Sequence, residues 1–393
     1  MAFRNRSLLS VIAVFAAGVL SCPLITACGS AASPAGAPLA STGLLVGGPG
    51  QAATSSKPAP GSVTLTETGS TLIYPLFANW AHAYHGMYSN VTVSTAGTSS
   101  GDGIADVTTS DKKMFVNIGA SDAFLSSGNL VQHPDLLNIP LAIAAQEVFY
   151  NLPDLSPGTH VHLNGQVLAG MYDGQITNWN DASIKALNPG VPLPSLPVVP
   201  LHREGSTGDT FLFTSYLSAG DPSWNKTYGY GTNIAWPKGI GEAPAVPGNS
   251  GMVSECGVTR GCVAYIGISY QASAQSGAHP LGYAALKNAA GSYLLPTPAT
   301  ISAAVQPFVA ATPPNESISL VNGPAPAGYP IVNYEYAVVR SDQASATVAD
   351  DIRAFLHWAV TTGNSASFLS AFRFQPLPLP VRQLANQQIA RIR

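Results

Sequence analysis

Val91-Thr92-Val93-Ser94-Thr95-Ala96-Gly97-Thr98-Ser99-Ser100-Gly101-Asp102-Gly103 decides the architecture of this chain. Its first five residues alternate apolar and hydroxyl side chains and are mostly β-branched, the pattern of a strand with one buried face. A run of small residues then turns the backbone, and a helix starts from Ile104. The same order recurs on both sides. Upstream, Val63-Thr64-Leu65 predicts a strand and Glu67-Thr68-Gly69 a turn. After Ser70-Thr71, the side chains of Leu72, Ile73, Leu76, Phe77, Trp80 and Tyr84 fall at helical spacing. Pro75 sits early enough to be tolerated in a first turn. Downstream, residues 115–120 predict a strand that ends at Ser121-Asp122. Strand, short polar loop and helix in repetition predict an α/β fold with a mainly parallel sheet. Ligands of such sheets sit beyond the carboxyl ends of the strands, where all three loops lie.

Farther along, the apolar run from Ile139 to Tyr150 predicts a long buried strand and a crossing point between halves of the molecule. A helix is expected around 164–170, strands at 263–267 and 331–339, and an amphipathic helix over 344–361 carrying Val348, Ile352, Phe355, Leu356 and Ala359. Between them, His202-Arg203-Glu204-Gly205-Ser206-Thr207-Gly208-Asp209-Thr210 follows the proline-punctuated run Val198-Val199-Pro200-Leu201 and precedes a helical apolar pattern. Small residues at a helix start leave backbone N–H groups unpaired and partly positive. An arginine beside them adds a permanently charged planar fork that suits an oxyanion. Trp80, Trp179 and Trp358 lie in apolar contexts and read as core.

The chain has 393 residues, 46% of them hydrophobic, enough for two domains at roughly 150 residues each. Only 9% of residues are charged, which suits an exported protein, and the net charge of −3 argues against nucleic acid as a partner. Arg4 and Arg6 precede an uncharged apolar run from Leu8 to Leu20, and Ile25-Thr26-Ala27-Cys28 follows. That order predicts a signal peptide over residues 1–27, with Cys28 in the position of a lipidated cysteine. Cleavage there removes two arginines and no acid, leaving 15 basic against 20 acidic residues. Residues 28–61 combine Cys28 with an Ala-, Gly-, Ser- and Pro-rich stretch, which predicts a flexible tether. Cys256 and Cys262 lie close together in an exported chain, so a local disulfide is expected, and no flanking histidines suggest a metal site. No cofactor motif is present.

Each hydroxyl loop, Ser70-Thr71, Ser99-Ser100-Gly101 and Thr207-Gly208-Asp209-Thr210, reads alone as a helix N-cap. Together with Arg203 and Asp122 they read as an anion site. A carboxylate repels an anion unless the ligand carries a proton, which Asp122 can then accept. A fully ionised rival such as sulfate would meet an unpaired acceptor. Gly97-Thr98-Ser99-Ser100-Gly101 also matches Gly-x-Ser-x-Gly, so the alternative is a secreted serine hydrolase using Ser99 with one of His133, His160, His162, His202 or His357. A receptor for another oxyanion is the second alternative.

With these residues assembled, the chain resembles the phosphate-binding lipoproteins of Pst-type ABC importers. The resemblance rests on Thr68-Gly69-Ser70-Thr71-Leu72 with Tyr74-Pro75, on Gly97–Gly101, on Ile118-Gly119-Ala120-Ser121-Asp122 and on Arg203 through Tyr216; Trp236-Pro237 and Tyr265-Ile266-Gly267 also match. It implies a two-lobed type II periplasmic-binding fold that closes over inorganic phosphate in a cleft. Lobe 1 would comprise residues 62–150 and 331–393, and lobe 2 residues 151–330, with hinges near Val148–Asn151 and Tyr329–Val332. Ser70, Thr71, Leu72 and Ser99 would donate from one lobe and Asp122 would accept the ligand's proton. Arg203 would supply the fork, and Thr207, Gly208 and Asp209 the third helix start. The resemblance further implies a non-enzymatic monomer without cofactor, lipid-anchored at the outer face of the cell membrane and serving a membrane permease. One departure stands out. The family reads Arg-x-Asp-Gly-Ser-Gly where this chain has Arg203-Glu204-Gly205-Ser206-Thr207-Gly208. The aspartate that orients the arginine is replaced by Gly205, leaving Glu204 as the neighbouring carboxylate.

Overall fold

Fifteen consecutive residues, Leu136–Tyr150, form one strand buried along its whole length. The apolar run that predicted it lacks polar alternation because both faces of the strand are covered. The structure is a computed structural model that describes residues 57–156, 158–237, 245–276 and 280–393. The proposed signal peptide, Cys28 and most of the tether lie outside the described residues. The last tether residues are held by the folded part: Ala59 donates its N–H to Asp351 at 2.8 Å, and Asn90 donates to the carbonyls of Ala59 and Gly61.

The long strand changes partners along its length. From Leu136 to Ala145 it pairs antiparallel with Val332–Arg340, and from Gln146 to Tyr150 antiparallel with Cys262–Gly267. On its first side the sheet runs outward as Val332–Arg340, Ile118–Ser121, Val63–Gly69 and Val91–Gly97; on the other side come Cys262–Gly267 and Val199–Pro200. Two helices follow the outer strands, Tyr74–Met87 and Ser100–Thr108, as the loop-and-helix repetition predicts. Helix Ala346–Val360 buries Ile352, Phe355, Leu356 and Ala359, four of the five side chains of its expected stripe. Among the tryptophans, Trp80 and Trp179 are wholly buried and Trp358 nearly so.

The sheet is not mainly parallel. Val63–Gly69 runs parallel to both of its neighbours, and Val199–Pro200 parallel to Cys262–Gly267, but the four pairings made by Leu136–Tyr150 and Val332–Arg340 are antiparallel. A parallel neighbour needs a crossover that returns the chain to the same edge. Val332–Arg340 instead arrives at the end of a long excursion through the second half of the molecule, so no crossover helix sets its direction. The strand expected at 115–120 is also shorter, Ile118–Ser121, because Phe115 closes a turn on Asp111.

Cys256 and Cys262 form the expected disulfide, with Cα atoms 5.4 Å apart. It ties the end of helix Gly248–Val258 to the start of strand Cys262–Gly267, and Asn151 donates to the carbonyls of Cys256 and Gly257 beside it. The pair is structural.

Candidate functional site

The carboxyl ends of three strands deliver three chain turns to one place. Ser70 follows strand Val63–Gly69, and its Oγ accepts from the N–H groups of Leu72 at 3.0 Å and Ile73 at 3.4 Å while donating to Asp122 Oδ1. Ser99 follows Val91–Gly97 and caps helix Ser100–Thr108, its Oγ accepting from the N–H of Asp102 at 3.1 Å. Thr207 caps helix Gly208–Gly220 in the same manner through the N–H of Thr210. Both readings of these loops therefore hold at once: the hydroxyls cap, and the caps converge.

Convergence is close. Ser100 Oγ lies 3.3 Å from Asp122 Oδ2, and the N–H of Gly101 donates to the carbonyl of Ser206 at 2.9 Å. Gly208 packs so tightly on Asp122 and Ser100 that a Cβ there would stand 2.6 Å from Asp122 Cβ. Only glycine allows that approach. Two of the nominated donors are committed inside the protein, the N–H of Leu72 to Ser70 and that of Thr207 to the carbonyl of Thr232 at 2.7 Å.

Arg203 is 3% exposed. Its Nη1 forms an ion pair with Asp209, its Nη2 reaches Thr71 Oγ1 at 3.4 Å, and its Nε is buried with no hydrogen-bond partner among the described residues. The carboxylate that holds the arginine is therefore Asp209, six residues on, and not Glu204. Glu204 is exposed and makes no ion pair among the described residues. Gly205 has φ +74°, a left-handed turn that a side chain would strain, and open space where its Cβ would be. Gly205 thus makes a tight turn, and the first turn of the next helix supplies the acid that holds the arginine.

Several residues of this cluster carry no signal in the sequence. Asn249 is wholly buried; its Nδ2 donates to Thr71 Oγ1 and to Asp209 Oδ2, each at 2.9 Å, and its Oδ1 accepts from the N–H of Gly267 at 2.7 Å. Gln146, at the point where the long strand changes partners, donates to the carbonyl and the carboxylate of Asp209. Tyr265 accepts the N–H of Arg203 at 2.9 Å through its hydroxyl. These are uncharged residues scattered over more than a hundred positions, and no spacing rule connects them. Gln146 lies within the run from Ile139 to Tyr150 and Tyr265 within Tyr265-Ile266-Gly267, but nothing in either stretch marks these side chains for the site.

A cavity of about 470 Å³ opens at this cluster, lined among others by Thr71, Ser99, Asp102, Arg203, Glu204, Ser206 and Ser250. Of the nominated residues, Thr71, Ser99 and Arg203 reach its wall, whereas Ser70, Leu72, Asp122, Thr207, Gly208 and Asp209 lie behind it. Burial, reinforced by the negative charge of Asp209, pushes the Asp122 carboxyl up to about 7, against the opposing pull of the Ser70 hydrogen bond and the Arg203 charge. The chemistry on offer is polar and directional: hydroxyls, helix starts, one permanent cation and one carboxyl that titrates near neutrality.

Among the described residues the hydrolase alternative finds no partner for Ser99, and no histidine lines the cavity. His160 bonds the carbonyl of Tyr283, His202 stacks on Trp236, His357 bonds Asn386, His162 stacks on Tyr293, and His133 lines a separate cavity with Phe124 and Tyr230. Among the described residues no group of three or more His, Cys, Asp or Glu side chains could hold a metal ion, and no helix is long and apolar enough to cross a membrane.

The PBP superfamily domain profile matches residues 54–362. The phosphate-binding protein PstS of Methanocaldococcus jannaschii is 30% identical over 353 residues, covering 85% of this chain and 87% of that protein. PstS of Xylella fastidiosa is 29% identical over 317 residues, covering 81% and 82%. Among solved structures, a phosphate-binding protein from Stenotrophomonas maltophilia superposes with a TM-score of 0.61 at 20% identity, covering 83% of this chain and 94% of its own. The periplasmic phosphate-binding protein PfluDING, solved bound with phosphate, gives 0.60 at 21% identity, covering 82% and 92%. With its two-lobed α/β fold and full-length relatives, this chain belongs to the PBP superfamily and, within it, to the PstS family.

Proposed function

We propose that this protein is an extracytoplasmic solute-binding protein that captures inorganic phosphate and passes it to the permease of an ABC importer, making and breaking no bond. The observation that carries the reading is the meeting of Asp122, Arg203 and three helix starts at one buried point. Unlike sulfate, phosphate still bears protons near neutral pH, so a buried acceptor selects it over sulfate, and hydroxyl and N–H donors serve its ionised oxygens. Relatives named as phosphate-binding proteins over more than four-fifths of their length support it.

The finer parts of the reading belong to the same proposal. Thr71 and Ser99 face the ligand from a lobe of residues 62–150 and 331–393, with Ser70 and Leu72 behind them, and Arg203 faces it from a lobe of residues 151–330, with Thr207, Gly208 and Asp209 behind it. The change of partner at Ala145/Gln146, where Gln146 donates to the carbonyl of Ile331, supports a two-segment hinge close to Val148–Asn151 and Tyr329–Val332. The mature chain works as a monomer tethered through lipidated Cys28. Calorimetry on the mature protein should give 1:1 phosphate binding with little response to sulfate. Equal or tighter sulfate binding would favour a receptor for another oxyanion and sink the proton-acceptor argument.

A further inference from the structure

Behind Asp122 lies a second carboxyl. Glu335 is wholly buried on strand Val332–Arg340, whose register sets Tyr336 opposite Ser121 and so brings Glu335 beside Asp122. The register and burial set the two carboxyls side by side out of water. Two buried carboxylates so close repel each other, so one of them carries a proton. The surroundings decide which. Asp122 receives the Ser70 hydroxyl on one oxygen and the Ser100 hydroxyl on the other, and feels the charge of Arg203. Among the described residues Glu335 receives a single donor, Asn333 Nδ2 on Oε1 at 2.7 Å, and its Oε2 is buried with no donor to it. Both Asp122 oxygens are already served by hydroxyl donors, so the Glu335 oxygen that receives none is the one placed to keep the proton and offer it to Asp122.

We propose that Glu335 is a specificity-determining positioning residue of the oxyanion site: it keeps its proton, donates it to Asp122, and so holds Asp122 as the one ionised acceptor that faces the ligand's hydroxyl. The inference rests on the phosphate reading above. The charged groups facing the pair are Asp209, which raises both carboxyls, and Arg203, which lowers Asp122. Burial first, and the Asp122 charge second, hold Glu335 well above the usual carboxylate range. Glu335 holds the Asp122 carboxyl down against burial, so without this donor Asp122 would rise further and stay protonated to higher pH. A protonated Asp122 no longer demands a proton from the ligand, and a fully ionised oxyanion is no longer turned away.

The test is calorimetric titration of phosphate and of sulfate into the mature wild type, Glu335→Gln and Glu335→Leu between about pH 6 and about pH 9. The Gln variant keeps a donor and should stay within about threefold of wild type. The Leu variant should lose about tenfold in phosphate affinity near neutral pH, the scale of a hydrogen bond to a charged group. That deficit should narrow as the pH rises past the raised Asp122 midpoint, and discrimination against sulfate should shrink. A Leu variant that follows wild type at every pH, or a Gln variant as weak as the Leu one, overturns the proposal. Wild type that binds no phosphate overturns the functional reading beneath it, which an unaltered Leu variant beside a binding wild type does not. If the Leu variant fails to fold, the infrared difference between wild type and Glu335→Gln decides. A protonated-carboxyl band at neutral pH is expected, and its absence overturns the assignment.

Discussion

Two aspartates stand on opposite sides of the same buried site and are treated in opposite ways. Asp209 faces a guanidinium and the Asn249 amide, so its charge is matched within the protein. Asp122 faces two hydroxyls and the Glu335 carboxyl, and burial pushes it up to about 7. The first aspartate is a fixture that aims Arg203. The second has a charge that the fold leaves partly unmatched, and in the proposed function it is the acceptor for a ligand that brings its own proton. Residue type does not separate them. Neighbours do, as for any pair of titratable groups whose surroundings push them apart.

The harshest way to break the comparison is to remove the cation. Arg203→Ala strands Asp209 as a buried, unpaired charge and should cost about 3–5 kcal/mol of stability, read by urea unfolding, together with phosphate binding by at least about a hundredfold. An unchanged affinity would take Arg203 out of the site. Asp122→Asn comes next. It should weaken phosphate by about tenfold while sulfate gains relative to it, in a competition assay. The same variant tests the titration. Because the folded-state value of Asp122 is raised, its contribution to ligand-free stability is greatest in acid and is lost as the pH climbs through about 7. Asp122→Asn should therefore flatten the fall in stability between about pH 4 and about pH 7 and leave the ligand-free protein more stable above it. A variant whose stability profile keeps the wild-type slope would contradict the raised value.

Asn249→Ala sharpens the comparison on the Asp209 side alone. It removes donors to Thr71 and Asp209 without touching Asp122, and should cost about 1–3 kcal/mol of stability and weaken phosphate several-fold, with the pH midpoint of binding unchanged. A shifted midpoint would mean the two sides are not separable. Glu204→Ala is the mildest. Exposed and outside the arginine's ion pair, it should leave affinity within about threefold. A large loss there would restore Glu204 as the arginine's support.

What was legible in the chain follows from range. Ser70, Ser99 and Thr207 sit within three residues of the N–H groups they cap or begin, so small polar residues after an alternating apolar run announce them. The disulfide spans six positions, and the long strand Leu136–Tyr150 is a continuous apolar run. Sheet direction was misread because Val332–Arg340 enters beside Ile118–Ser121 from more than two hundred residues away, and no local pattern encodes the direction of such an arrival. Glu204 is the carboxylate adjacent to the arginine in the chain, but one turn of helix brings Asp209 to it instead.

By itself, then, the order of residues determined where strands end, where helices begin and which hydroxyls, arginine and aspartate lie at those junctions, because each of these is settled by neighbours along the backbone. Only the tertiary structure decided which aspartate serves the arginine, that Asn249 and Gln146 brace it, and that Glu335 stands behind Asp122. Those outcomes depend on desolvation and on contacts between distant segments. A buried carboxyl's charge is set by what surrounds it in space, and that is not written next to it in the chain.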